Sequence, residues 1–266
     1  MDVSWVGATV VITGGSGAVG SAVARATSRL GARVGLIARR ERPLVATSAS
    51  LCTPSAHAVA DVSDEPALCS ALEQLRERLG EIDVLVTAAD LGSHRAFLEE
   101  DPATVDRLLR VNFLGATNAI RAVLPPMVER RHGHIVTVGA MAGRVGAPYQ
   151  AAFSASKFAL VGFTEALAAE VRPFGVHVGV VNPGPLEVDG MGRRPAGRRQ
   201  ALAPEHVAQA VVRAVAKRRS EQIVPSHLLV KGLARVASPR YWRWDTDRDF
   251  AAEWSALETR IDLDRP

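Results

Sequence analysis

The chain of 266 residues contains little cysteine, few aromatic residues and no long apolar run. Its two cysteines, Cys52 and Cys69, lack the spacing of metal ligands and provide no disulfide framework for a small fold. No apolar stretch reaches the roughly 18 residues that a membrane-spanning helix requires. The first seven residues also lack the basic and apolar regions of a secretion signal. We therefore expect a cytoplasmic protein without a bound metal.

Charge is distributed unevenly along the chain, although the net charge is only +4. Residues 191–244 contain twelve basic and two acidic residues, whereas residues 245–266 contain seven acidic and three basic ones. The basic segment is either a solvated surface covered by the acidic tail or a surface for a phosphate-bearing ligand, an acidic partner or a membrane. No recognition motif accompanies this charge, so nucleic acid is not expected as a partner.

Short apolar runs alternate with helix-like stretches along most of the chain. Runs that are apolar throughout are typical of parallel strands covered on both faces. The pattern predicts an α/β fold, a doubly wound parallel sheet of the Rossmann type in a single domain. We place this domain at 1–225, with a ligand-covering loop at 184–203 and a C-terminal extension at 226–266 that packs on the domain or at an oligomer interface. Strands are predicted at 8–13, 33–38, 56–60, 82–87, 134–138, 176–181 and 222–224, and helices at 18–30, 64–79, 102–127 (broken near Pro125 and Pro126), 150–171 and 204–218.

A glycine-rich stretch, Thr13–Gly20, joins the first predicted strand to the first predicted helix. Small residues let the backbone turn sharply and approach a pyrophosphate, and the helix amino terminus offers N–H groups and a positive dipole end. The position between an N-terminal strand and a helix makes this pattern specific for a nucleotide. The residues expected to line the site are Gly14, Ser16, Ala18, Val19 and Gly20.

The end of the second predicted strand indicates which dinucleotide binds. An acidic residue there would bond the ribose hydroxyls, but the chain continues from Ala38 to Arg39 and Arg40. Guanidinium groups suit a ribose 2′-phosphate, so NADP(H) is favoured over NAD(H); the alternative is a pair of surface arginines. After the third predicted strand, Asp61 and Val62 either meet the adenine or form a turn before the next helix.

Together with later motifs, these features resemble the short-chain dehydrogenase/reductase family in order and spacing. The later motifs are Val111-Asn112, the Ser154–Lys157 stretch and Asn182-Pro183-Gly184. The resemblance covers about residues 6–184 and implies a doubly wound sheet, a nicotinamide cofactor, a small-molecule substrate and a homodimer or homotetramer. It also implies that further residues contact the cofactor, namely Ala89, Asn112, Lys157, Pro183 and Gly184.

The residues that carry proton transfer in this family are changed. The family has a proton-donating Tyr four residues before its Lys and a carbonyl-orienting Ser thirteen residues before that Tyr, positions that are Phe153 and Ala140 here. Phe has no proton to exchange, and Ala cannot hydrogen-bond to a carbonyl. Lys157, which in the family lowers the pKa of the phenol and holds the ribose, is one of only three lysines in the chain. Its retention favours a remaining ribose contact.

A second departure follows the fourth predicted strand, where the family's Asn-Asn-Ala-Gly is Thr-Ala-Ala-Asp. Asp90 thereby places a carboxylate near the expected nicotinamide end, and we take it as the best substitute proton donor. Tyr149, one helical turn before Phe153 if that helix begins early, and His94 are further candidates. Each also has an ordinary interpretation, as a turn brace, a packed helix start or an exposed side chain. The candidate catalytic residues are Asn112, Lys157, Asp90 and Tyr149.

Three functions remain open from the sequence. The first is an NADP(H)-dependent oxidoreductase that acts on a small organic carbonyl or alcohol with a non-standard proton donor. The second is a non-redox enzyme on the same scaffold, such as a cyclase, dehydratase or isomerase, and the third is a non-catalytic nucleotide-binding protein. The apolar and basic stretch 227–244 favours packing or an oligomer contact over a substrate lid or a membrane-surface helix.

Overall fold

The computed structural model describes residues 4–186 and 201–230 and the single positions 233 and 238. Its strands are Thr9–Thr13 (β1), Arg33–Ala38 (β2), Ser55–Val59 (β3), Val84–Thr87 (β4), Gly133–Val138 (β5), Val176–Pro183 (β6) and Glu221–Val224 (β7). They form one parallel sheet in the order β3-β2-β1-β4-β5-β6-β7. The predicted doubly wound sheet is confirmed, and each predicted strand is present within two residues at either end.

Helices cover both faces of the sheet because alternate residues of each strand point to opposite sides. Val10 and Ile12 of β1 belong to a buried cluster with residues of the first and last helices, whereas Val11 belongs to the cluster on the other face. The helices are Ala18–Arg29 (α1), Glu41–Ala49 (α2), Glu65–Leu79 (α3), Pro102–Leu109 (α4), Gly115–Glu129 (α5), Ala151–Val171 (α6) and Pro204–Ala216 (α7).

One helix was not predicted, and one predicted break was misplaced. Helix α2 is short and buries only Leu44 and Thr47, so it has little apolar periodicity to reveal it. The prediction of a helix over 102–127 broken near its two prolines was wrong in detail. Pro125 and Pro126 lie inside α5, and the interruption is a π turn at Arg110–Leu114. Such turns occur often at functional sites, and this one carries the buried Asn112.

Some predicted features lie outside the described residues. These are residues 187–200 of the predicted loop and all of the C-terminal extension after residue 230 except two positions. The extension and its role therefore stay a prediction. Within the described ranges, no helix combines the length and apolar character that crossing a bilayer requires.

Two histidines lie next to each other at the edge of the sheet opposite the strand carboxyl ends. The ring of His134 on β5 is fully buried and its centroid is 5.4 Å from that of His177 on β6. Neither ring nitrogen of His134 has a hydrogen-bond partner among the described residues. Burial, reinforced by the charges of His177 and Arg218, lowers the pKa of His134 to about 3.

We expect acid to destabilise the protein through His134. An unfolded histidine has a pKa of about 6.5, so its stabilising effect is complete above that pH and is lost progressively as the pH falls towards 3. At pH 5 the loss from this group is about 2 kcal/mol. Urea unfolding of His134→Leu should show a smaller loss between pH 7 and pH 5 than the wild type, whereas exposed His227→Gln should not. An unchanged pH dependence in His134→Leu would contradict this assignment.

Candidate functional site

The candidate site is a crevice at the carboxyl ends of the strands, and it begins at the turn between β1 and α1. Gly14 has a φ of +71°, and a Cβ there would lie 2.6 Å from the carbonyl oxygen of Ala88. A Cβ on Gly20 would overlap the carbonyl oxygen of Gly14, so both positions require glycine. The N–H of Gly17 closes the turn by donating to the Gly14 carbonyl at 2.9 Å. Helix α1 starts at Ala18 without a side-chain cap, which leaves its first N–H groups for an anion. This cradle fits a pyrophosphate.

The other predicted cofactor residues lie at the carboxyl ends of the strands. Ser16 is half-buried in the turn itself, and Val19 is half-buried in the first turn of α1. Ala89 follows β4 and approaches Gly14 so closely that a Cβ on that glycine would lie 2.6 Å from the Ala89 nitrogen. Because parallel strands end at the same edge, the structure brings these residues together where the strand order reverses. Three more residues lie at the carboxyl ends of other strands of the sheet, namely Val62 after β3, Pro183 at the end of β6 and Gly184 after it.

At the predicted adenosine end, Arg39 and Asp61 come together. The Arg39 Nη1 atom is 3.7 Å from Asp61 Oδ2, and the Arg39 side chain is 63% exposed. Asp61 Oδ1 accepts hydrogen bonds from the N–H of Ser63 at 2.9 Å and from its hydroxyl at 2.7 Å. Burial alone would raise the pKa of Asp61, but the Ser63 bonds and the Arg39 guanidinium together hold it below its usual value. Arg40 is exposed and precedes α2.

Asp61 therefore braces the turn after β3, as one of its two sequence interpretations proposed. Its second carboxylate oxygen faces Arg39 rather than Ser63. The adenine contact stays a prediction. An exposed guanidinium beside an ionised carboxylate provides a polar rim at this end of the crevice.

At the predicted nicotinamide end, a buried lysine is paired with an acidic residue. Lys157 Nζ lies 2.8 Å from Asp90 Oδ1 and donates to the carbonyl oxygen of Val138 at 3.1 Å. The Lys157 side chain is only 2% exposed, whereas Asp90 is 35% exposed. A buried ammonium requires an opposite charge, and Asp90 supplies it. The position that is glycine in the resembled family thus contacts the lysine that this chain retains.

The two positions that the resemblance assigns to the family's catalytic hydroxyls lie in or against an apolar cluster beside this ion pair. Phe153 is buried, and Ala140 packs against the same cluster. The centre of the Phe153 ring is 5.7 Å from Lys157 Nζ. Where the resembled family has a hydroxyl pair, this site therefore has an apolar wall next to a charged pair.

Asn112 holds the loop that carries Asp90. Its Oδ1 accepts from the N–H of Leu91 at 2.7 Å, and its Nδ2 donates to the Leu91 carbonyl at 2.9 Å and to Ser156 Oγ at 3.0 Å. Both polar atoms of its side chain thus bond to protein. Sequence reasoning missed the partners Leu91 and Ser156, because the three residues are far apart along the chain.

Tyr149 was a candidate proton donor on the condition that its helix begins early, and the structure does not meet that condition. Helix α6 begins at Ala151, and Tyr149 has a φ of +60°, so it does not lie one helical turn before Phe153. Its ring stacks on His94 with centroids 5.9 Å apart, and its carbonyl accepts from the N–H of Arg95 at 2.7 Å. These contacts join the loop after β4 to the start of α6. Of the substitute proton donors, Asp90 is the one paired with Lys157.

The described residues contain no group of three or more His, Cys, Asp or Glu side chains that is able to hold a metal ion.

A doubly wound parallel sheet with a glycine turn and a helix amino terminus at its switch point defines a dinucleotide-binding domain. Residues 8–198 match the short chain dehydrogenase family. The chain belongs to this family.

Relatives and solved structures are consistent with that membership. The chain is 32% identical to dehydrogenase/reductase SDR family member 7B of Xenopus tropicalis over 82% of its own length and 77% of that protein. It is 31% identical to ketoacyl reductase HetN of a Nostoc strain over 92% and 91% of the two chains. A 3-oxoacyl-[acyl-carrier protein] reductase from Brucella melitensis with bound NAD superposes with a TM-score of 0.73 at 27% identity, over 84% and 91% of the chains.

These relationships place the chain among the oxidoreductases of the family, ketoreductases included. They also support the binding of a nicotinamide dinucleotide in the crevice.

Proposed function

We propose that the protein is an NADP(H)-dependent oxidoreductase that interconverts a small organic carbonyl compound and its alcohol, with Asp90 in place of the usual tyrosine. The 2.8 Å contact between Asp90 and Lys157 carries the proposal. This contact supports the proposal because a partly exposed carboxyl group, which is able to exchange a proton, lies beside the lysine at one end of the candidate dinucleotide cradle. The proposal includes the family's homodimer or homotetramer and a cytoplasmic location.

In this proposal, different residues bind different parts of the cofactor. The Gly14–Gly20 turn and the first N–H groups of α1 hold the pyrophosphate. Asp61 faces the adenine, Arg39 meets a ribose 2′-phosphate, and Lys157 bonds the nicotinamide ribose. The bound nicotinamide supplies or accepts the hydride.

Asp90 handles the proton that accompanies the hydride. In alcohol oxidation, its carboxylate accepts the hydroxyl proton while the hydride leaves the same carbon, and the C–O bond becomes a carbonyl. In reduction, the protonated Asp90 returns that proton to the carbonyl oxygen. The apolar wall of Ala140 and Phe153 excludes water from one side of the substrate.

The names of the relatives suggest which substrates to test first. Proteins that this chain resembles are named as reductases of ketoacyl or 3-oxoacyl compounds. A 3-oxoacyl thioester and its 3-hydroxy counterpart are therefore the first substrates to assay in the two directions.

A specific observation favours a second candidate, a nucleotide-binding protein without redox chemistry. Phe153 and Ala140 replace both hydroxyls and close into one buried apolar cluster. If this alternative holds, NADPH binds but its absorbance does not change with any carbonyl substrate. The same result is expected for a non-redox enzyme.

The choice of cofactor can be tested at Arg39. Arg39→Ala should weaken NADPH binding roughly 10- to 100-fold, because a charge-assisted contact to the 2′-phosphate is lost. NADH binding should change less than about twofold, since NADH has no phosphate there. Isothermal titration calorimetry measures both, with the exposed Arg42→Ala as the matched control. Equal effects on the two cofactors would remove the 2′-phosphate role, and no binding of either by the wild type would contradict the proposed function.

A further inference from the structure

We infer that Asp90 is an affinity-determining residue that competes with the dinucleotide for Lys157. The inference rests on the proposed function, because it takes Lys157 as the residue that bonds the nicotinamide ribose. It adds that the protein's own carboxylate occupies this lysine until the cofactor arrives.

The surroundings of Lys157 leave little of its ammonium for a ligand. An ammonium has three N–H donors. In Lys157, the ammonium donates to the Val138 carbonyl oxygen at 3.1 Å and pairs with Asp90 Oδ1 at 2.8 Å. The ring of Phe153 lies 5.7 Å away, within the range of a cation–π attraction. Because the side chain is almost completely buried, water does not compete for it. One N–H donor is left, so a ribose that presents two hydroxyls to Lys157 must share or displace a protein partner.

Asp90 is the partner that can give way. The Val138 carbonyl belongs to the central strand β5, and Phe153 is buried in α6. Asp90 lies on the loop after β4 and is 35% exposed, so its side chain has space to rotate towards the crevice. The backbone beside it is fixed, because Asn112 bonds both polar groups of Leu91. Only the Asp90 side chain, and not the loop, needs to move.

Displacement of Asp90 has two consequences at the same site. Breaking the ion pair consumes part of the binding free energy, so the dinucleotide binds more weakly than the cradle alone would allow. The released carboxylate then lies at the reactive end, where it can accept a proton from the substrate. Cofactor binding thus precedes and enables proton transfer by Asp90.

Replacing the carboxylate tests the competition directly. In calorimetric titrations with NADPH, Asp90→Asn should bind about five- to tenfold more tightly than the wild type, with the exposed Asp106→Asn as a control that leaves the affinity unchanged. Equal or weaker binding by Asp90→Asn overturns the inference, and leaves the proposed function standing if the wild type binds NADPH. Binding by Asp90→Asn alone supports the inference and contradicts the proposed function. No binding by either protein overturns both.

A second background separates competition from simple repulsion of the cofactor phosphates. In Lys157→Met the ammonium is absent, so the additional change Asp90→Asn should leave NADPH affinity the same within about twofold. A persisting five- to tenfold gain would show repulsion and overturn the inference. Thermal unfolding without cofactor provides a readout that is independent of NADPH. Asp90→Asn should lower Tm by roughly 3–6 °C, since Lys157 loses its counterion, and should lower it much less in the Lys157→Met background.

Discussion

Restoring the two missing hydroxyls, with Phe153→Tyr and Ala140→Ser together, is expected to raise carbonyl reduction by NADPH about 100-fold. The Phe153 ring already lies 5.7 Å from Lys157 Nζ, so a phenol at this position would be within the electrostatic influence of the ammonium. A nearby positive charge lowers the pKa of a phenol and makes it a better acid at neutral pH. The Ser hydroxyl would add a donor to the carbonyl oxygen. The measurement is the loss of NADPH absorbance with a 3-oxoacyl thioester.

The matched control adds the same groups to the same helix away from the site. Phe158→Tyr with Ala155→Ser changes two exposed positions of α6 and should leave the rate unchanged. If Asp90 competes for Lys157, adding Asp90→Gly to the restored pair should raise the rate further. A restored variant that folds and binds NADPH but shows no gain would mean that the site lacks more than its hydroxyls.

Removing the buried amide with Asn112→Ala is expected to lower the free energy of unfolding by about 3 kcal/mol. The substitution would leave the N–H and carbonyl of Leu91 without the partners that the structure shows at 2.7 and 2.9 Å. Unsatisfied buried polar groups cost about 1–3 kcal/mol each. Because Leu91 adjoins Asp90, the variant should also bind NADPH differently from the wild type. Urea unfolding and calorimetry measure the two effects.

Asn118 provides the control for this prediction. It lies half-buried in α5, and Asn118→Ala should change stability by less than about 0.5 kcal/mol, since Ala suits a helix at least as well. A loss in Asn112→Ala no larger than in Asn118→Ala would show that the π turn does not depend on the amide.

Much of the fold was predictable because local chemistry and tertiary position agree. Strands such as β5, which is buried at every residue, can lie only in the middle of a covered sheet. Gly14 and Gly20 in the turn between β1 and α1 were recognisable because backbone conformation and close approach exclude any side chain there. The replacements at Phe153 and Ala140 were recognisable through their spacing from Lys157.

Other features depended on contacts that no local pattern records. Helix α2 was missed because two buried residues produce no clear period. The π turn around Asn112 was missed because its residues suit an ordinary helix, and the bonds of Asn112 to Leu91 and Ser156 join residues that are distant in sequence. Whether Tyr149 belongs to the helix stayed open in the sequence, because spacing alone does not show where a helix begins.

The sequence by itself therefore determined the class of fold, the candidate dinucleotide site and the residue types at the positions of the family's hydroxyls, since each depends on residue type at a fixed spacing. Only the tertiary structure decided what surrounds those positions. Asp90 and Lys157 are distant in sequence, and they meet because the crossover from β4 to β5 brings the loop after β4 and the start of helix α6 to the same edge of the sheet. There, burial of the ammonium makes a nearby carboxylate the favoured partner.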